Sequence, residues 1–254
     1  MKLLLSNKSM IEYIIQEQDK SESMEKKIYN LIILDESGSM HLIKPQAISG
    51  LNETLQTIKA AQEKYDSQSH YVTLVTFNSD KVKTIHDCCP ANRIQELSNN
   101  DYQPNAATPL FDVIGISLTR LNEEVEDEDK VLVTIITDGY ENASREYSGK
   151  AIFQLIEGLK AKGWIFTYIG ANQDVEKVAA SMGIRNSLLF DASPEGTEVM
   201  FKEESKCRDL LYCCIDEEND IADKDFFESL RKHHSPNKSL DKKVEKKKNK
   251  WWPF

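Results

Sequence analysis

The chain has 254 residues, with 42 Asp or Glu against 32 Lys or Arg and a formal charge of −10; this length suits one large α/β domain with extensions, and this balance argues against a general nucleic-acid binder. The charge is uneven: residues 231–254 hold nine Lys or Arg and two Asp or Glu, a balance of +7, which leaves −17 on residues 1–230. No run of ~18 apolar residues predicts a transmembrane helix, and the five cysteines, in no CxxC or zinc-finger pattern, read as reduced thiols of a cytoplasmic protein.

Residues 1–27 are an N-terminal extension. Met1-Lys-Leu-Leu-Leu is too short an apolar run for a secretory leader, and Met24 is a possible alternative start, an added helix being the other reading. The strand that begins at Ile28 carries the unbroken apolar run Leu31-Ile-Ile-Leu34, the pattern of a parallel strand buried on both faces. It runs directly into Asp35-Glu-Ser37-Gly-Ser39-Met40. Over residues 43–65 apolar positions recur every three to four residues, which predicts a helix. Residues 71–77 and 81–86 flank Asn78-Ser-Asp80, a hairpin signal that makes the second strand an antiparallel edge. Residues 108–121 read as a helix with Thr108 at its N-cap and Pro109 at the first helical position. Residues 130–137 and 164–170 read as buried strands, with a helix over 148–162 between them closed by Gly163. A last helix over 174–182 and strand over 188–190 complete a doubly wound, mostly parallel α/β sheet with one antiparallel edge strand, assigned to residues 28–200. Residues 201–230 are an acidic helical segment, and 231–254 a flexible basic tail ending Trp251-Trp252-Pro253-Phe254, too poor in apolar residues to fold alone.

Asp35, Ser37 and Ser39 fall just past the carboxyl end of a buried strand, where open α/β sheets bind ligands. They offer hard oxygen donors of the kind Mg²⁺ prefers. The bland reading of the same residue types is a helix cap and turn formers. Two further stretches bear on the choice: Ala107-Thr108-Pro109-Leu110-Phe111-Asp112, opening a helix, and the strand ending at Thr137 followed by Asp138-Gly139. In that order, these three elements closely resemble the metal-ion-dependent adhesion site of von Willebrand factor A (vWA) domains. The resemblance implies that Ser37, Ser39 and Thr108 bind Mg²⁺ or Mn²⁺ directly, that Asp35 and Asp138 act through coordinated water, and that an Asp or Glu of a partner protein takes the remaining position. Glu36 lies beside this site, Glu141 and Asn142 read as a solvated loop, and His70 and His86 as strand-end residues.

In size and in the wording Thr137-Asp-Gly-Tyr-Glu-Asn-Ala-Ser144 the chain resembles intracellular bacterial vWA proteins, including those associated with tellurite and general stress resistance. It departs from the tellurite type in lacking a C-terminal zinc-ribbon pattern. The expectation is a non-enzymatic, metal-dependent protein-interaction module. A Mg²⁺-dependent hydrolase is the alternative, and it needs a phosphate clamp, a Gly-rich phosphate loop or a nucleophile and base pair, none of which the sequence displays. Nucleic-acid or anionic-membrane association through the tail alone is a third reading. For the tail, docking of a second protein partner through Trp251, Trp252 and Phe254 is favoured over self-association, in which the lysines lie back on the acidic stretch, and over membrane contact, because aromatic anchors carry much interface energy; no specific nucleic acid is expected.

Overall fold

In the computed structural model, residues 25–171, 174–218 and 226–227 are described. The extension over residues 1–24 and the basic tail with Trp251, Trp252 and Phe254 lie outside them. Strand β1 (Lys26–Asp35) leads through a 3₁₀ turn (Gly38–Ile43) into α1 (Lys44–Lys64). Then come β2 (Gln68–Asn78), β3 (Lys81–Pro90), α2 (Leu110–Glu124), β4 (Lys130–Thr137) and α3 (Gly149–Lys160). The chain continues as β5 (Ile165–Gly170), α4 (Val175–Ser181), β6 (Asn186–Leu189) and α5 (Pro194–Asp216).

The six strands form one sheet in the order β3-β2-β1-β4-β5-β6. All neighbours are parallel except β2 and β3. That hairpin turns on Asn78, whose side-chain oxygen accepts from the backbone N–H of Asp80 and Lys81 and so mimics a backbone turn. The doubly wound sheet with one antiparallel edge strand is thus the architecture the strand and helix alternation implies.

Successive side chains of a strand point to opposite faces, and β1 uses both. Ile32 and Leu34 join the core beneath α1 and α5, whereas Leu31 and Ile33 join the core beneath α2, α3 and α4. All four are fully buried, which is why the run had to be apolar without interruption. Helices α1 and α5 approach so closely that a Cβ on Gly50 would sit 2.1 Å from the Phe201 ring. The αL conformation that ends α3 is taken by Gly163, with φ +88°.

The boundary drawn at residue 200 falls inside α5. That helix buries Phe201, Glu204, Cys207, Arg208, Leu211, Tyr212 and Ile215, so the segment belongs to the domain core, and one of its acidic residues, Glu204, lies inside it. Phe226 and Phe227, edge to face at 4.9 Å, close the same core. Beneath α5 lies a buried polar network that periodicity alone does not reveal. The Arg208 guanidinium donates to Glu204, to Asn30 Oδ1 of β1 at 2.9 Å and to Thr134 Oγ1 of β4 at 2.9 Å. Thr54 of α1 donates to Glu204 from the other side. His70 is not a strand-end residue: it sits within β2, 1% exposed, with its ring against Tyr212.

Candidate metal centre

Strand β1 is followed in the chain by its neighbour on one side, β2, and later by its neighbour on the other, β4. The crevice between the carboxyl ends of β1 and β4 is therefore the switch point where sheets of this kind bind ligands. Asp35 ends β1 and Asp138 follows the last residue of β4. The register that pairs Leu34 with Ile136 sets Asp35 beside Thr137.

Asp35 is completely buried and locally braced. Its Oδ1 accepts from the Ser37 N–H at 2.7 Å, its Oδ2 accepts from Thr137 Oγ1 at 2.6 Å, and its carbonyl accepts from the buried Tyr102 hydroxyl. Ser37 Oγ lies 3.2 Å from Ser39 Oγ, which donates to Asp138 Oδ1 at 2.5 Å. Four of the five sequence-derived residues are thus linked directly. Thr108 completes the set around Gly139: a Cβ built there would lie 3.3 Å from Thr108 Oγ1, 3.5 Å from Ser39 Oγ and 3.7 Å from Asp35 Oδ2. Glycine at 139 leaves open a cradle lined by three oxygens. Asp35, Ser37, Thr108 and Asp138 are buried, and Ser39 opens the cradle to solvent.

The electrostatics of the cradle favour a cation. Burial pushes the Asp35 carboxyl up to about 6 against the hydrogen bonds from Thr137 and Ser37, and the neighbouring Asp138 charge adds to it. Burial also raises Asp138 despite the Ser39 hydrogen bond. Among the described residues no Lys, Arg or His forms an ion pair with either carboxylate. A divalent ion would relieve both. The donor set is two carboxylates and three hydroxyls, and no cluster of three His, Cys, Asp or Glu is present among the described residues. All-oxygen donors fit Mg²⁺ or Mn²⁺ rather than a soft metal. Ser37, Ser39, Thr108, Asp35 and Asp138 are the residues that would hold it.

The adjacent Glu36 plays a different part. It is fully buried, with Lys83 Nζ at 3.0 Å, Lys81 Nζ at 3.4 Å and Thr76 Oγ1 at 2.7 Å, and it also accepts from the Gln103 N–H. Burial alone would raise it, but these bonds win and hold it below the ordinary carboxylate range. Its negative charge is spent on tying β3 and the segment before Thr108 to the end of β1. The two lysines thereby pair with Glu36 and not with the cradle carboxylates.

Thr108 does not cap α2. The helix begins at Leu110, with Pro109 at the N-cap and no side-chain capping bond, because Pro109 adopts a non-helical ψ of 63°. Glu141 and Ser144 cap it from across the crevice: Phe111 N–H donates to Glu141 Oε2 at 2.9 Å and Asp112 N–H to Ser144 Oγ at 3.1 Å. Asn142 accepts from the Thr108 N–H at 2.8 Å and donates its own N–H to the Thr108 carbonyl. In return, Asp112 accepts from the N–H groups of Arg145, Glu146 and Tyr147. Glu141 and Asn142 are therefore a two-way clasp, not a solvated loop. The clasp fixes the Thr108 backbone and leaves its hydroxyl directed at the cradle. The sequence signal for it was available in Tyr140-Glu-Asn-Ala-Ser144, polar residues set at the spacing of a capping loop.

No family model matches the chain, and no curated protein matches it. Solved structures do. With 15% identity and a TM-score of 0.51, 74% of the chain is similar to 30% of the pilus adhesin SpaC from Lactobacillus rhamnosus GG. With 8% identity and a TM-score of 0.50, 74% of it is similar to 97% of the vWF domain of the type V pili tip protein Mfa5 from Porphyromonas gingivalis. With 13% identity and a TM-score of 0.47, 72% of it matches 46% of proximal thread matrix protein 1 from the mussel byssus. The chain thus spans less than half the length of the SpaC and mussel chains. Likeness at these identities establishes the fold alone, and that fold is vWA-like. No helix among the described residues is long and apolar enough to cross a membrane.

Proposed function

We propose that this chain is a non-enzymatic, cytoplasmic protein-interaction module that holds Mg²⁺ or Mn²⁺ and takes an Asp or Glu side chain of a partner protein as the last ligand. The observation that carries the reading is the cradle over Gly139, where Thr108, Ser39 and Asp35 oxygens converge beside two buried carboxylates that no cationic side chain among the described residues neutralises. Three neutral hydroxyl ligands leave a divalent ion undercompensated, so it keeps an affinity for one more anionic oxygen. The exposed side of the cradle at Ser39 is where that oxygen would arrive. Catalysis is not part of the reading, because the nearby Lys81 and Lys83 are paired with Glu36.

The test is calorimetric titration of Mg²⁺ into the full chain and its Asp35→Ala and Ser39→Ala variants, followed by capture of partner proteins in Mg²⁺ or EDTA. Binding lost in both variants, with circular dichroism unchanged, supports the assignment. Undiminished Mg²⁺ binding in a folded Asp35→Ala variant would sink it. Phosphomonoester turnover that disappears in Asp35→Ala would instead make the site a hydrolase.

A further inference from the structure

A groove of about 720 Å³ opens beside the cradle, and it gives the partner more definition than a carboxylate alone. Its near end is formed by Ala107 and Pro109, which flank Thr108, and by Asn142, which holds the Thr108 backbone. It then runs between the β2–β3 turn and the loop after β4, with Val82, Val113 and Ile116 among its lining. Val82, on the edge strand β3, is 49% exposed, and Ile116 is 42% exposed although its helix buries Val113, Ile114, Leu118 and Leu121. Between β3 and α2, Val82 and Ile116 also line a cavity of about 50 Å³ together with Val75 and Leu121. Val82 and Ile116 thus line both this slot, whose lining also includes Asp87, Arg120 and Glu124, and the groove. Its walls carry both signs, Asp80 and Lys81 on one side and Arg145 and Glu146 on the other, so its selectivity lies in the apolar floor.

We infer that the groove receives an extended segment of a partner protein whose acidic side chain sits at the cradle and whose neighbouring aliphatic side chain fills the slot between Val82 and Ile116. The inference rests on the metal-site reading and adds the chemistry of the partner to it. Continuity selects this occupant: a chain that brings a carboxylate to Ser39 and Thr108 has the groove as its continuation. Its volume lies within the range of peptide- and ligand-sized sites. Val82 pairs with Phe77 and Phe77 with Asp35, two strand spacings or about 10 Å from the cradle, and two residues of extended chain span about 7 Å, so with the reach of the side chains themselves an aliphatic residue two or three positions from the acid meets the slot.

The experiment compares acetyl-Gly-Gly-Glu-Gly-Gly-amide with acetyl-Leu-Gly-Glu-Gly-Leu-amide, titrated into the full chain in Mg²⁺ and again in EDTA. Burying one leucine side chain favours the second peptide by about tenfold or more. In Ile116→Ser, a change at a half-exposed helical position, that preference should vanish while the binding of the glycine peptide is retained. Equal affinities for the two peptides, no binding of either, or a leucine preference that survives Ile116→Ser would overturn the groove assignment. A leucine preference that is present in EDTA as well as in Mg²⁺ would keep the groove and sink the metal reading. Self-association in Mg²⁺ that is lost in Ile116→Ser would assign the groove to a second copy of the chain and overturn the partner proposed.

Discussion

Gly139→Ala separates the proposed metal site from the fold that carries it. The added methyl enters the cradle, 3.3 Å from Thr108 Oγ1, 3.5 Å from Ser39 Oγ and 3.7 Å from Asp35 Oδ2. Only the first of these is tighter than ordinary van der Waals contact, and Gly139 has no positive φ that would penalise alanine. The Thr108 hydroxyl must therefore give by a few tenths of an ångström, and the reduced freedom of the unfolded chain offsets the strain by about 0.4–1 kcal/mol. Stability in EDTA should stay within about 1 kcal/mol of the parent. The same methyl occupies space that a hydrated ion needs, so Mg²⁺ binding should fall by more than tenfold. At a metal concentration of 100 Kd the parent gains about 2.7 kcal/mol, which for a domain of this size raises Tm by roughly 5–10 °C. Thermal melts of both proteins in EDTA and in Mg²⁺ read all four quantities. A variant that keeps the full Mg²⁺-induced shift would refute the cradle, and one that is strongly destabilised in EDTA would show that Gly139 serves the fold.

Thr108→Ala should weaken Mg²⁺ binding while costing about 1 kcal/mol in chemical denaturation, the ordinary cost of a point substitution; a loss above about 2 kcal/mol would mean that the hydroxyl does brace the helix. Glu141→Ala removes the acceptor of Phe111, Ala143 and Ser144 N–H groups and should cost about 1–3 kcal/mol, with Mg²⁺ affinity falling as the Thr108 segment loosens. Arg208→Met leaves Glu204 buried without its cation, for a loss of about 3–5 kcal/mol in urea titrations, and adding Glu204→Met should restore much of it; a single-variant loss below 1 kcal/mol would contradict the network. His70 is depressed from 6.5 to about 4, by burial first and then by Arg208, so the folded state resists a proton that the unfolded chain accepts. Its contribution is complete above pH 6.5 and about 3 kcal/mol is lost as the pH falls towards 4. The difference in stability between the parent and His70→Gln should shrink over that window, and a constant difference would show that His70 does not titrate there.

The order of strands and helices was legible in the sequence because each has its own period. The unbroken run Leu31–Leu34 could only be a strand covered on both faces, and Asn78-Ser-Asp80 carried the chemistry of the one hairpin. Asp35, Ser37, Ser39 and Asp138 were legible because they follow buried strands directly, and a strand's end fixes where the next residue points. Two other features depended on groups far apart in the chain. Arg208, in an acidic stretch, reads as a solvated charge until Asn30, Thr134 and Glu204 are seen around it, 178 and 74 residues away in the first two cases. The N-cap was placed one residue early, at Thr108 instead of Pro109, because Thr-Pro is a strong local start signal, whereas the N–H groups of α2 are satisfied by Glu141 and Ser144 from another loop. Local sequence reports what a segment can do with its own hydrogen-bonding groups. Only the packed sheet decides which of them meet partners from elsewhere, and that decision freed the Thr108 hydroxyl for the cradle and drew α5 into the core.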